Sequence, residues 1–309
     1  MDKAAIIIVH YKNEKDTLEC LNSIFINHSS NKKVQVIVVI NPPYVSESVG
    51  KNDSFKTILR KKYPQVIVIE NNTNTGFAQA NNIGIQKALD LECEYILLLN
   101  NDTIVSLELL DKLIKYAKSD SKVGVMSPKI YFAKGFEYHK DRYKDKEKGK
   151  VIWYAGGKID WANVYASHKG VDEVDVGQYG ETCETDFATG CCMLITRKTI
   201  DKIGLFDSKY FLYYEDVDYS VRVKNNNMKV IYFPKVVLWH KNASSSGKPG
   251  SKMHIYYQNR NRLYFGFKYA TSKTKKSLFW DSLRLLIKGG VYTKSTMDYH
   301  LGRLGKASI

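Results

Sequence analysis

Tyr95-Ile96-Leu97-Leu98-Leu99-Asn100-Asn101-Asp102 is the stretch that decides the fold. A short apolar run free of breakers reads as a buried strand. The Asn-Asn-Asp that follows places two amides and a carboxylate at the strand's carboxyl end, where ligands bind in open α/β sheets. A hard divalent cation takes oxygen ligands, so Asp102 with Asn100 suits Mg²⁺ or Mn²⁺ completed by substrate phosphates. The alternative is an ordinary polar turn after a core strand.

Outward from this strand, the first half of the chain alternates strand and helix patterns. Ala5 to Val9, Val34 to Ile40 and Val66 to Ile69 are further apolar, β-branched runs. Between them, Glu14 to Ile26, Phe55 to Lys62, Phe77 to Leu89 and Leu107 to Ala117 space their apolar residues as helices do. Continuous apolar strands joined by amphipathic helices predict a mainly parallel sheet covered on both faces, an α/β fold. Right-handed crossovers then bring the strand carboxyl ends to one side.

Beyond residue 130 the pattern changes. Lys134 to Lys150 is charged and poor in apolar residues, and is expected to be a mobile surface loop. Trp153 to Gly177 suggests hairpins, Cys191 to Thr196 a buried strand, and Thr199 to Ile203 a helix ended by Gly204. Val217 to Lys224 reads as a helix, Val230 to Phe233 and Val236 to Trp239 as strands broken by Pro234, and 244–250 as a flexible loop.

The 309 residues suit one large α/β domain with an appendage: residues 1–265, then a basic helical tail, 266–309. A net charge of +15 points to an anionic partner. The lysines are dispersed and no nucleic-acid module is present, so phosphates of a small substrate or an anionic membrane fit better. Five scattered cysteines suit a reducing cytosol. The first apolar run is too short for a signal-peptide core, and no stretch is long enough to span a membrane. A cytoplasmic protein, at most peripheral to the inner face of the membrane, is expected.

Several residues could carry chemistry. His10-Tyr11 and Asn41 close the first two strands, where a base and ribose could lie; plain strand-to-loop junctions are the alternative. Asn74-Thr75-Gly76-Phe77, followed by Asn81-Asn82-Ile83-Gly84, puts a glycine at a helix start, where backbone N–H groups favour phosphate. An N-cap plus a packing Gly84 explains the same pattern. Glu215-Asp216-Val217-Asp218 opens a helix, which suits the dipole. It also offers a general base. Arg222 is placed to pair with Asp218 at i,i+4, leaving Asp216 as the base. His240 closes a strand as a metal ligand or a packing residue, and Arg260 and Arg262 could clamp a diphosphate or lie on a helix surface.

Together, from about Ile6 to about Arg262, these segments resemble the inverting family-2 glycosyltransferases of GT-A fold, particularly the rhamnosyltransferase-like branch. The resemblance covers Ile7 to Tyr11, Asn74 to Ala78 with Asn81 to Gly84, and Leu99 to Asp102 at the family's Asp-x-Asp position. It continues through Thr189 to Ile195, Phe206 to Arg222, His240 and Arg260-Asn261. It implies Mg²⁺ or Mn²⁺ on Asp102, with Asn100 and His240, and a nucleotide-diphosphate sugar held by His10, Tyr11, Asn41, Gly76, Asn81, Asn101 and Arg260. It also implies an acceptor side at Gly190, Cys191 and Glu215, and Asp216 as catalytic base. The implied activity is inverting transfer to a hydroxyl of a saccharide or lipid-linked saccharide in cell-surface polysaccharide synthesis.

One position departs from the family. Its second strand normally ends Val-Val-Asp-Asn, the Asp contacting the base; here it is Val38-Val39-Ile40-Asn41. Ile40 accepts no hydrogen bond, so base recognition must shift, and a weakened protein that only binds sugar or scaffolds an assembly is the rival reading. A nicotinamide dehydrogenase is excluded because no Gly-x-Gly-x-x-Gly follows the first strand. In the tail, from Lys268 on, nine Lys/Arg face two acids. Leu278, Phe279, Leu283, Leu286 and Ile287 form its apolar face, for a membrane surface, the catalytic domain or a second subunit of a homo-oligomer.

Overall fold

A computed structural model describes residues 3–28, 33–42, 51–139, 141–242 and 250–309. The expected loop at 244–250 falls almost wholly outside them. The first half builds β1 (Ala4–His10), α1 (Glu14–His28), β2 (Val34–Ile40), α2 (Lys51–Lys62), β3 (Ile67–Glu70), α3 (Gly76–Asp90) and β4 (Tyr95–Asn100). These follow the predicted order. β1 pairs in parallel with β2 and β4, and β2 with β3.

Alternation along each strand divides the core. Ile6, Ile8, Leu97 and Leu99 face α1, α2 and their neighbours, while Ile7, Leu98 and Val39 meet α3 on the other side. Helix α3 lies close because Gly84 has no side chain: a Cβ there would stand 2.5 Å from Ile7 Cγ2. Packing explains that glycine.

The second half adds β5 (Thr103–Val105), α4 (Leu109–Ser119), β6 (Val123–Phe132), β7 (Ile152–Tyr154), β8 (Gly157–Asp160), β9 (Tyr165–His168), β10 (Cys183–Glu184) and β11 (Cys192–Thr196). It continues with α5 (Arg197–Ile203), α6 (Glu215–Asn225) and β12 (Lys229–His240). Strand order in the main sheet is β10-β12-β6-β11-β4-β1-β2-β3, with β5 on β12 and β7 on β6. β11 is antiparallel to β4 and β6, so the sheet is mixed though mainly parallel. β8 and β9 make the expected hairpin.

Two expectations change. Pro234 does not break the last strand: β12 is continuous, and a register shift between Phe233 and Val237 absorbs the missing N–H. The charged segment after residue 133 is tied down as well. Buried Glu137 accepts from Gly135 N and Gly149 N, both at 2.8 Å, closing the loop's ends, and Tyr143 donates to Asp172 O at 2.8 Å.

Helices α7 (Lys252–Tyr269), α8 (Ser272–Ile287) and α9 (Gly290–His300) complete the chain. The expected boundary at residue 265 lies within α7. Leu278 of α8 packs where Gly266 leaves room; a Cβ at 266 would stand 2.5 Å from its Cδ2. Phe279, Leu283 and Ile287 stay exposed, so the tail's apolar residues divide between two faces instead of sharing one. Among the described residues no helix is long and apolar enough to cross a membrane.

Candidate active site

At the carboxyl edge of the sheet lies a cavity of about 840 Å³. Sheet register builds one side of it. Val9 is level with Asn100, and Thr103, the first residue of β5, pairs with His240, the last of β12. Asp102 therefore arrives beside His240 although 138 positions separate them. Its Oδ1 is 3.0 Å from His240 Nε2, and both side chains are buried. Backbone fixes the pair: Lys241 N donates to Asp102 O at 2.9 Å, and the buried Lys241 ammonium is held by Asp16 (2.7 Å) and Glu19 of α1.

The His240 ring is oriented by an edge contact with Trp153 at 4.6 Å, and Trp153 O in turn lies 3.2 Å from His168 Nδ1. His240 Nδ1 is buried with no partner among the described residues, so Nε2 is the working nitrogen. The 3.0 Å contact is itself a hydrogen bond or ion pair between the two side chains; one carboxylate, one imidazole and the adjacent Asn100 make a donor set a divalent cation would accept. No group of three His, Cys, Asp or Glu suited to a metal occurs among the described residues. A cation here would draw its other ligands from phosphate and water.

The opposite wall is the start of α6. Asp216 opens onto the cavity with both oxygens engaged: Oδ2 accepts from Gly190 N at 2.9 Å and Oδ1 from Val217 N at 2.8 Å. Burial pushes its carboxyl up, and the two N–H donors oppose that rise. Glu215 beside it is raised much further, by burial and then by the Asp216 charge, and its Oε2 is buried with no partner among the described residues. Asp218 is structural. It accepts from Arg222 Nε at 2.9 Å, Lys268 Nζ at 2.7 Å and the Tyr210 and Tyr269 hydroxyls.

Gly190 and Cys191 join the two walls. Gly190 N holds Asp216, while Cys191 O accepts from Asn100 N at 2.9 Å. Burial, with Asp102 and other neighbouring charges adding to it, keeps the Cys191 thiol protonated. Tyr11, Asn41, Gly76 and Asn101 also line the cavity. Asn101 Nδ2 is fixed on Thr17 Oγ1 at 2.9 Å.

Four expectations for donor contacts are corrected by the geometry. His10 is absent from the cavity: its Nδ1 bonds Thr17 Oγ1 at 2.8 Å, its ring stacks on Phe55, and burial lowers its pKa to about 4. Asn81 turns back to Phe77 O at 2.9 Å. The N-terminus of α3 is no open phosphate cradle, because Thr75 N donates to Asn41 Oδ1, Gly76 N to Asn74 Oδ1 and Phe77 N to Phe211 O. Gly76 is required by its φ of +79° and by Phe211 O, 2.4 Å from where a Cβ would sit. Asn41 spends both ends of its amide on this same loop.

Arg260 is the fourth. Its guanidinium is fully buried and donates to the carbonyls of Gly305 (2.7 Å), Lys209 (3.3 Å) and Tyr210 (3.1 Å). Asn261 Nδ2 converges on the carbonyls of Tyr210, Leu212 and Tyr213, at 2.8, 2.7 and 2.8 Å. Phe211, Tyr213 and Tyr214 all have positive φ, a conformation that costs non-glycine residues energy. The Arg-Asn pair therefore holds the strained turn that presents Glu215 and Asp216. Ile40, by contrast, is wholly in the core.

The chain's end was not foreseen at this site. Gly305 N donates to Lys209 O at 2.7 Å, Ala307 N to the Tyr257 hydroxyl at 3.0 Å, and Lys306, Ala307 and Ile309 line the cavity. Trp153, His168 and Lys241 were missed too.

Known proteins resemble this chain in sequence and in fold. A hexosyltransferase of low-salt glycan biosynthesis, Agl10 of Haloferax volcanii, is 23% identical over 301 residues, 96% of this chain and 86% of the relative. An N-acetylglucosaminyl-diphospho-decaprenol L-rhamnosyltransferase of Mycobacterium tuberculosis is 23% identical over 224 residues, 68% of this chain and 70% of that protein. GalNAc-T7 solved with UDP, GalNAc and Mn²⁺ superposes with a TM-score of 0.63 at 14% identity, over 97% of this chain and 55% of that one. The mannosyltransferase PcManGT of Pyrobaculum calidifontis, solved with GDP-Man and Mn²⁺, gives 0.55 at 14% identity, over 98% and 75%. These structures share the GT-A fold. The "Glycosyltransferase like family 2" profile matches residues 2–266, and with it the chain belongs to the family-2 glycosyltransferases.

Proposed function

We propose that the chain transfers a sugar, with inversion, from a nucleotide-diphosphate sugar to a hydroxyl of a saccharide or lipid-linked saccharide in cell-surface glycan synthesis. The observation that carries this reading is a single cavity with Asp102 and His240 on one wall and Asp216 on the other. Its chemistry needs an electrophilic end and a basic end. Asp102 and His240, with Asn100 adjacent, would hold Mg²⁺ or Mn²⁺, which when bound neutralises charge on the departing diphosphate. Asp216 takes the proton from the attacking hydroxyl. The N–H groups of Gly190 and Val217 fix its carboxylate while leaving it open to the cavity. Glu215 lines the cavity beside it on the acceptor side, and binding supplies the alignment for in-line displacement.

The named relatives support hexosyl or rhamnosyl transfer, and the rhamnosyltransferase's name supports a lipid-diphosphate acceptor. The solved neighbours support a uridine or guanosine diphosphate donor with Mn²⁺. A scaffolding subunit without turnover is favoured only by the buried Ile40 and the committed Asn41. A screen of nucleotide sugars for metal-dependent donor hydrolysis separates the two: release of nucleoside diphosphate from one donor supports the transferase, and donor binding without turnover across the panel supports the scaffold.

A further inference from the structure

Among the described residues, no element covers the outward face of helix α8. Inward, Leu278 and Ser282 are buried. Outward, Phe279, Trp280, Leu283 and Ile287 are 44%, 63%, 36% and 87% exposed. At 3.6 residues per turn these four fall within an arc of about 100°. Lys276 lies in the same arc, and Lys273, Arg284 and Lys288 flank it on one side, all exposed. The only acid of the helix, Asp281, is taken by Arg262 Nη1 at 2.7 Å. The outward face thus combines a large apolar stripe with positive charge alone.

We propose that this face of α8 docks the protein on an anionic lipid bilayer. Apolar side chains with a tryptophan enter the headgroup boundary while lysine and arginine meet the lipid phosphates. A second copy is a poor occupant: a twofold contact would set the face against itself and oppose Lys276, Arg284 and Lys288 to their own images. Position supports the bilayer as well. The carboxyl end of α8 leads through Gly289 to Val291, which packs in a cluster with Leu212 and Met253, and those two line the cavity. Part of the cavity's lining therefore lies near the Ile287 end of the stripe. For the lipid-linked acceptor of the reading above, docking by α8 brings the acceptor's head to the cavity while its chain stays in the membrane.

Flotation of the full chain with vesicles tests this. Binding is expected to phosphatidylcholine vesicles containing phosphatidylglycerol, to weaken as salt rises, and to be absent from phosphatidylcholine alone. Each cation removed should weaken it about fivefold, so the Lys276→Gln, Arg284→Gln, Lys288→Gln triple variant should lose about 100-fold. A Trp280→Ser, Ile287→Ser variant should also stop floating while keeping its thermal melt, since both side chains are exposed. No flotation with phosphatidylglycerol at low salt, or flotation unchanged in both variants, overturns the proposal. So does a dimer that fails to float and dissociates in the Trp280→Ser, Ile287→Ser variant. Donor hydrolysis in the same samples reports on the transferase reading separately: the variants should match the parent, and a parent without hydrolysis would count against transfer and not against docking.

Discussion

The side-chain amide of Asn261 lies 2.8 Å from the carbonyl of Tyr213, two residues before the Glu215-Asp216 pair. Through this contact and those to Tyr210 and Leu212, helix α7 determines the position of the carboxylates without touching them. Asn261→Ala would leave buried carbonyls unpaired, at about 1–3 kcal/mol each. The expected outcome is a lower melting temperature together with a fall in the rate of transfer. Arg260→Lys should behave similarly, since an ammonium cannot reach three carbonyls as the guanidinium fork does. Denaturant melts beside steady-state kinetics check both; an Asn261→Ala protein with normal stability and rate would show that the turn holds itself.

Asp216→Asn should lower transfer about 10²–10⁴-fold, the usual contribution of a general base, with donor affinity within a few-fold of the parent. A small loss of stability should accompany it, because the new amide turns N–H toward Gly190 N or Val217 N. Since burial raises the Asp216 carboxyl, the acidic limb of the rate profile should fall above the ordinary aspartate range. A pH–rate profile and a titration of donor on the variant measure these effects.

Gly76→Ala should destabilise strongly, because the added methyl meets Phe211 O and the backbone is left-handed. Gly190→Ala is the milder case: its Cβ would stand 3.0 Å from the Phe77 ring and 3.7 Å from Asp216 Cβ. That variant should fold but lose activity as Asp216 is displaced, which a melt and a rate together would show.

Stability should depend on pH in two opposed ways. Glu215 is raised, so the folded state keeps a proton that the unfolded chain releases above the ordinary glutamate range; its contribution falls as pH rises. Glu215→Gln should therefore melt higher than the parent at neutral pH, with the gain shrinking in acid. His10 and His168 are both lowered to about 4 by burial. The unfolded chain protonates them from about 6.5 downward, so their contribution is complete above that value and is lost between about 6.5 and about 4. Melts across this range check both signs.

Much of this was legible in the sequence because it rests on local pattern. The apolar runs gave the strands, and the ends of two of them gave Asp102 and His240, while Asp216 was read from the acidic start of a helix. The i,i+4 spacing alone separated Asp218, as Arg222's partner, from Asp216. What was not legible depends on contacts between distant segments. Nothing near Arg260 says that its partners are the carbonyls of Lys209 and Gly305. Tyr210 to Tyr214 contains no glycine, so its left-handed turn gives no signal. The tail reaches the cavity through contacts with Arg260, Lys209 and Tyr257, all distant in sequence. Gly76 was read for phosphate, yet its neighbouring N–H groups are already used by Asn41, Asn74 and Phe211.

The central claim is that a divalent cation on Asp102 and His240 joins the donor diphosphate to this cavity, with Asp216 acting only afterwards. Calorimetric titration of uridine and guanosine diphosphates, with and without Mn²⁺, tests it most directly on the parent, Asp102→Ala, His240→Ala and Asp216→Asn. The account predicts Mn²⁺-dependent binding of one nucleotide by the parent and by Asp216→Asn, weaker binding by His240→Ala, and no Mn²⁺ dependence in Asp102→Ala. Binding of equal strength with and without Mn²⁺ in the parent, or Mn²⁺ dependence unchanged in Asp102→Ala, would contradict it.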